Sequence, residues 1–160
     1  MLHAVNIGMG KISEFMGKDH DRLDATFEKF KNVGELSEAK SFFHEFKTGL
    51  QRHIVWEEEI LFPLFESKTG MLGGPTEAMR HEHNEIKKFL EQIHGAVLSG
   101  RPDSINELGT GLFGVLKPHN DKEEGILYPW IDETLGDDEI KNVFARMESL
   151  PPGKYDKCCE

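Results

Sequence analysis

Four of the eight histidines in this 160-residue chain fall into a pattern with chemical meaning. Glu57 follows His53 by four residues, and Glu123 follows His119 by four. On a helix this spacing puts both side chains on one face, one turn apart. The segment His53-Ile54-Val55-Trp56-Glu57-Glu58-Glu59-Ile60-Leu61-Phe62-Pro63 returns as His119-Asn120-Asp121-Lys122-Glu123-Glu124-Gly125-Ile126-Leu127-Tyr128-Pro129. His, Glu-Glu, Ile-Leu, an aromatic and Pro all match at a constant offset of 66. A weaker match links Asp19-His20-Asp21-Arg22-Leu23 to Glu82-His83-Asn84-Glu85-Ile86 at an offset of 63.

The chain thus reads as two helical hairpins, each carrying a single His and then His-x-x-x-Glu. Together they aim four imidazoles and two carboxylates at one point, a set suited to two iron ions. Imidazole supplies neutral nitrogen, and a carboxylate offsets charge and can bridge two metals. The expected metal ligands are His20, His53, Glu57, His83, His119 and Glu123, with Glu57 and Glu123 as bridges. Glu58 and Glu124 stand as the alternative bridges, because a ligand at i+5 also reaches a bundle core. Any one of these histidines alone would read as an ordinary surface residue; the repeat argues against that.

The remaining candidates carry plainer readings. His81 is expected at the surface, although Glu85 four residues on makes a second His-x-x-x-Glu. His94, about three turns after His83, reads as a buried, hydrogen-bonded histidine. His44 lies off the site face, and His3 has no assigned role. Asp24 and Lys87 each fall one turn after a site histidine; they read either as a salt bridge behind the metal or as a solvated pair. Trp56, Phe27, Phe46 and Phe89 are expected in the core. Cys158-Cys159, the only cysteines, cannot staple a fold. They read as part of a plain tail, with soft-metal binding or oxidation sensing as the alternative.

Helices must position these residues. The first starts at Gly10 or Ser13 and ends at Asn32-Val33-Gly34, with Gly34 suited to a left-handed cap. Ser37 is the expected N-cap of a long second helix that Pro63 kinks or ends near Phe65. Pro75 opens the third, which Ser99-Gly100-Arg101-Pro102 breaks. Asp103 caps a fourth that bends at Pro118 and finishes near Tyr128-Pro129. A short fifth helix covers about Asp137 to Ser149. No strand-like alternation of useful length is present. The fold class is all-α: an up-down-up-down four-helix bundle with a short C-terminal fifth helix. The bundle is expected over residues 1–150, with residues 151–160 as a tail.

Composition narrows the function classes. The formal charge of −10 disfavours nucleic acid or an anionic membrane as partner. No apolar run approaches the roughly 18–20 residues that span a bilayer. Residues 1–6 show no basic region followed by an apolar stretch, so a cytoplasmic location without a secretory signal is expected.

Over about residues 11–133 the chain resembles the hemerythrin-like family, the hemerythrin HHE cation-binding domain. The resemblance rests on Asp19-His20-x-x-Leu23, His53-x-x-x-Glu57-Glu58-x-x-Leu61-Phe62-Pro63, Glu82-His83-x-x-Ile86 and His119-x-x-x-Glu123-Glu124-x-x-Leu127-Tyr128-Pro129. It implies a di-iron pair bridged by an oxo or hydroxo group that meets oxygen, nitric oxide or peroxide. The oxygen carriers of the family use His-x-x-x-His on the third helix and an Asp-terminated motif on the fourth. This chain has Met79 four residues before His83 and Glu123 on the fourth helix, more like the bacterial four-His, two-Glu branch. That branch includes proteins linked to stress defence and repair of iron centres. The loss of a fifth histidine leaves a coordination position open or water-filled, which favours reactivity over reversible carriage. An oxygen or iron binding, sensing or storage module without turnover is the alternative.

Overall fold

The computed structural model describes residues 11–156; the expectations for His3, Gly10, Cys158 and Cys159 lie outside them. Helix α1 (Ile12–Asn32) buries Ile12, Met16, His20, Leu23, Phe27 and Phe30, the three-and-four spacing of an amphipathic helix. Its N-terminus is capped from the far end of the chain. The backbone N–H groups of Ile12 and Ser13 donate to the Asp132 carboxylate at 2.7 and 3.0 Å, and the Ser13 hydroxyl adds a third bond. This satisfies donors that a helix start leaves unpaired.

The second bundle helix is α2 (Leu36–Trp56), a π-helical turn (Glu57–Leu61) and α3 (Phe62–Thr69) in unbroken succession. The third is α4 (Pro75–Leu98). The fourth repeats the second's construction: α5 (Pro102–Lys122), a π-helical turn (Glu123–Leu127) and α6 (Tyr128–Thr134). Helix α7 (Asp137–Ser149) packs Val143, Phe144 and Met147 against the apolar cluster around Trp56. Helix α1 pairs with α2 and α4 with α5; α2 then meets α4, and α1 meets α6. The chain is an all-α helical bundle, and no strand occurs among the described residues.

Several boundaries differ from the sequence reading. The helices run through Pro63 and Pro129 to Thr69 and Thr134. A proline in an α-helix lacks the N–H for the carbonyl four residues back and collides with it. The π turns just before each proline absorb this by widening the helix, and Phe62 and Tyr128 donate to the carbonyls of Glu57 and Glu123, five residues back. The Glu59 carbonyl, freed at Pro63, faces Arg146 Nη2 at 3.4 Å. Glu35 and Arg101, not Ser37 and Asp103, precede α2 and α5, without side-chain caps. Val33 ends α1 in extended conformation, so Gly34 does not supply a left-handed cap; Gly70 does so for α3, at φ 72°. Tyr155 is buried, so residues 151–156 do more than trail from the bundle. Gly49 lets α1 and α2 approach closely: a Cβ there would lie 2.8 Å from Leu23 Cδ2 and 3.1 Å from Arg22 Nη2.

Candidate metal centre

The four single-turn landmarks His20, His53, His83 and His119 form a polar layer between two apolar clusters. Met16, Trp56, Met79 and Leu127 belong to the cluster on one side. Leu23, Leu50, Ile86 and Leu116 belong to the cluster on the other. None of His20, His53, Glu57, His83, His119 and Glu123 is more than 3 % exposed. Polar groups in such a layer have to satisfy one another or hold a ligand.

Each imidazole Nδ1 is held by a carboxylate from a neighbouring helix. Asp19 holds His53 at 2.9 Å and Glu82 holds His119 at 2.7 Å, within each hairpin. Glu58 holds His83 at 2.9 Å and Glu124 holds His20 at 2.7 Å, across the two hairpins. The residue before each single histidine and the residue after each inner glutamate therefore complete one pseudo-two-fold ring. With Nδ1–H donating outward, Nε2 is turned to the centre, the arrangement that orients metal-binding histidines. Outer cations support the ring: Arg22 on Asp19 and Lys87 on Glu58, with Lys122 on Glu82.

The inner carboxylates are Glu57 and Glu123. His83 Nε2 lies 3.0 Å from Glu57 Oε2, and His119 Nε2 lies 3.1 Å from Glu123 Oε1. His53 Nε2 is 3.6 Å from Glu57 Oε1, and His20 Nε2 is 3.4 Å from Glu123 Oε1. The π turns explain how consecutive glutamates divide these roles, one pointing in and its successor reaching across. Two groups of donor atoms, each within 4.8 Å of one another, result: Glu57, His83, His119 and Glu123, and His20, His53 and Glu123. They share Glu123.

Charges in this layer are strongly coupled. Burial opposes a charge on His53, but Glu57 and Asp19 outweigh it and raise its pKa to about 10. Burial likewise opposes protonation of His83, yet Glu57 and Glu58 raise it to about 9. His119 is raised by Glu123 against the same penalty. Glu57, despite full burial, is held well below the usual carboxylate range by His53 and hydrogen bonds around it. Burial and hydrogen bonds also compete at Asp19, where His53 and Arg22 bring it to about 2.

Positive charge in the centre is thus strongly favoured. Glu57 Oε2, His83 Nε2 and both Glu123 oxygens are buried and make no well-oriented hydrogen bond, only ion-pair contacts within the layer. Cations would satisfy them, and the imidazole and carboxylate donors fit iron and related divalent ions.

The structure thus brings all six expected ligands together. Other expectations fare differently. Glu58 and Glu124 serve histidine Nδ1 atoms and are not in the inner carboxylate pair. Lys87 pairs with Glu58, not with Asp24. His81 and His44 are exposed, as read from the sequence. His94 is only half-buried and stacks on Phe43, at 6.2 Å between ring centroids. Met79 is buried in the apolar cluster with Phe62 and Phe65. Tyr128 went unassigned in the sequence, where it reads as one more aromatic. Its hydroxyl donates to Glu57 Oε1 at 2.5 Å and lies 3.1 Å from His53 Nε2. Burial and the two inner carboxylates raise its pKa well above the usual tyrosine value. The one signal that could have found it is the repeat, which aligns Tyr128 with Phe62.

Comparison with known proteins agrees with this geometry. The hemerythrin HHE cation binding domain family matches residues 11–131. An uncharacterized hemerythrin-like protein of Schizosaccharomyces pombe is 28 % identical over 141 residues, covering 88 % of this chain and 68 % of that one. A DNA nickase of Nostoc sp. is 25 % identical over 130 residues, covering 81 % of this chain but only 36 % of its own length. No solved structure gives a significant match.

Proposed function

This chain belongs to the hemerythrin HHE cation-binding domain family, and from that premise we propose that it is a non-haem di-iron protein acting on small ligands. The observation that carries the proposal is the pair of overlapping, fully buried donor groups that share Glu123. One shared carboxylate between two donor groups is what a bridged metal pair requires. We assign His20, His53, Glu57, His83, His119 and Glu123 as the ligands, with Glu57 and Glu123 as the carboxylates between the two positions.

Iron held by these residues would supply redox chemistry toward oxygen, nitric oxide or peroxide. The protein does the rest. Asp19, Glu58, Glu82 and Glu124 fix the ring orientations and keep Nε2 directed inward. Trp56, Phe62, Leu61 and Leu127 exclude water from the layer on one side, and Leu23, Leu50, Ile86 and Leu116 do so on the other. Met79 stands one turn before His83, where a fifth imidazole would make a closed site. A thioether is a weak ligand for ferric iron, so this position favours reaction over storage of a bound gas.

Stress defence or repair of iron centres in the cytoplasm is the physiological setting this reading suggests. No described helix is long and apolar enough to cross a membrane. The net charge of −10 disfavours a phosphate backbone, so nucleic acid is not proposed as a partner. The test is reactivity. Protein from iron-replete cells, reduced without air, is exposed separately to oxygen, nitric oxide and peroxide. Rapid spectral change with repeated consumption of one of them supports the proposal. Stoichiometric, reversible binding without turnover would instead establish a binding or sensing module.

A further inference from the structure

We propose that the Tyr128 phenol oxygen is a further donor, beyond the two carboxylates, at the position formed by His20, His53 and Glu123, so that the two metal positions are chemically unlike. The inference rests on the di-iron reading above. One donor group has four members, Glu57, His83, His119 and Glu123, and the other has three. The Tyr128 oxygen lies among the atoms of the smaller group, 3.1 Å from His53 Nε2 and 3.4 Å from His20 Nε2. Its ring is fully buried and sits 5.7 Å from the His20 ring, so the oxygen has little freedom to turn elsewhere.

The repeat sharpens the point. At the matching place in the other hairpin, Phe62 stacks on His83, with centroids 5.9 Å apart and planes within 8°. Phe62 brings no oxygen to the four-donor group. The sequence repeats the aromatic but adds the hydroxyl on the side whose donor cluster is the smaller. A phenolate is a hard anionic donor suited to ferric iron. Ligation breaks the O–H bond, forms the iron–oxygen bond and releases one proton to solvent, with no change in oxidation state. It also frees Glu57 Oε1 from the Tyr128 hydrogen bond, and that oxygen already lies 3.6 Å from His53 Nε2.

The experiment uses the ferric protein as isolated with its iron. Wild type is expected to show a visible phenolate-to-iron band. Excitation into that band should enhance tyrosine ring vibrations, and these should shift when the protein carries ring-deuterated tyrosine. Tyr155→Phe, which removes the other tyrosine, should keep the band. Tyr128→Phe, which installs the residue found at position 62, should lose the band while retaining wild-type iron content. If that variant fails to fold, the isotope shift in wild type decides alone. Two irons per wild-type chain with no tyrosine-derived band, or a band that survives Tyr128→Phe, would overturn the assignment and leave the di-iron reading standing. Wild-type protein that binds no iron would overturn both.

Discussion

The two hairpins offer matching histidines and glutamates to the buried layer but differ in how each half of the site is finished. On one side His83 and His119 face both inner glutamates, with Phe62 stacked over His83. On the other, His20 and His53 face Glu123, and Tyr128 places a hydroxyl between them. Outer support differs as well: His83 and His119 rest on Glu58 and Glu82, both partly exposed, whereas His53 rests on the buried Asp19 and His20 on Glu124, whose side chain is 46 % exposed. The comparison teaches that the repeat encodes the scaffold of a symmetric site, while single-residue departures from it make the two positions distinct.

The largest effects should come from the residues the halves share. His53→Ala and His119→Ala are each expected to lower bound iron well below the wild-type ratio, measured as iron per chain by elemental analysis. Full loading in both variants would break the equivalence of the hairpins. Glu57→Ala and Glu123→Ala should abolish magnetic coupling within the pair. Glu58→Gln and Glu124→Gln act only through a histidine, and should weaken metal binding by roughly 10–100-fold while leaving coupling in the metal that remains. A reversed order would place the i+5 glutamates in the centre.

Much of this was legible before any coordinates. The offset of 66 paired His53 and Glu57 with His119 and Glu123, which the structure brings into one buried layer, because two side chains one turn apart on a face are a local property of a helix. The π turns were not legible. Pro63 and Pro129 read as stops because a proline ends an α-helix unless the preceding turn widens. The roles of Asp19 and Glu82 were hidden for another reason: each acts on a histidine of a different helix, and such hydrogen bonds have no sequence spacing. Tyr128 was hidden because a hydroxyl on a core aromatic has meaning only once its neighbours are known. Tyr155 lies after two prolines and a glycine, a composition that says nothing of what it packs on.

Metal removal comes next in size. Binding at about a thousand times the dissociation constant contributes about 4 kcal/mol, so chelation should lower the thermal midpoint by roughly 10 °C. The metal-free protein should then show a particular pH dependence. His53 and His83 have folded pKa values of about 10 and about 9, above the ordinary value of 6.5. Their contribution is full below about pH 6.5 and is lost as pH rises through 9 to 10. Asp19, lowered from 3.8 to about 2, contributes above pH 3.8 and loses that contribution as pH falls toward 2. Urea unfolding across pH should therefore show a maximum between these windows. Stability that keeps rising up to pH 10 would contradict the charge pattern.

The smallest effect tests the methionines that precede each single histidine by four residues, Met16 and Met79, both buried. Met79→His should supply a fifth imidazole, shift the ligand-to-metal absorption and slow oxidation of the diferrous protein in air. Unchanged spectra would show that position 79 does not face the iron. Met16→His, in the same apolar cluster as Tyr128, provides the matching variant in the other half, and a smaller spectral change is expected there.

The central claim is a coupled pair of iron ions between the two hairpins, and counting iron while reading its magnetic state tests it most directly. Protein purified from iron-replete cells should carry two ferric ions per chain. It should be silent in electron paramagnetic resonance, with a Mössbauer spectrum of a coupled, diamagnetic ground state. Folded protein that holds a single uncoupled ion, or none, would contradict the account.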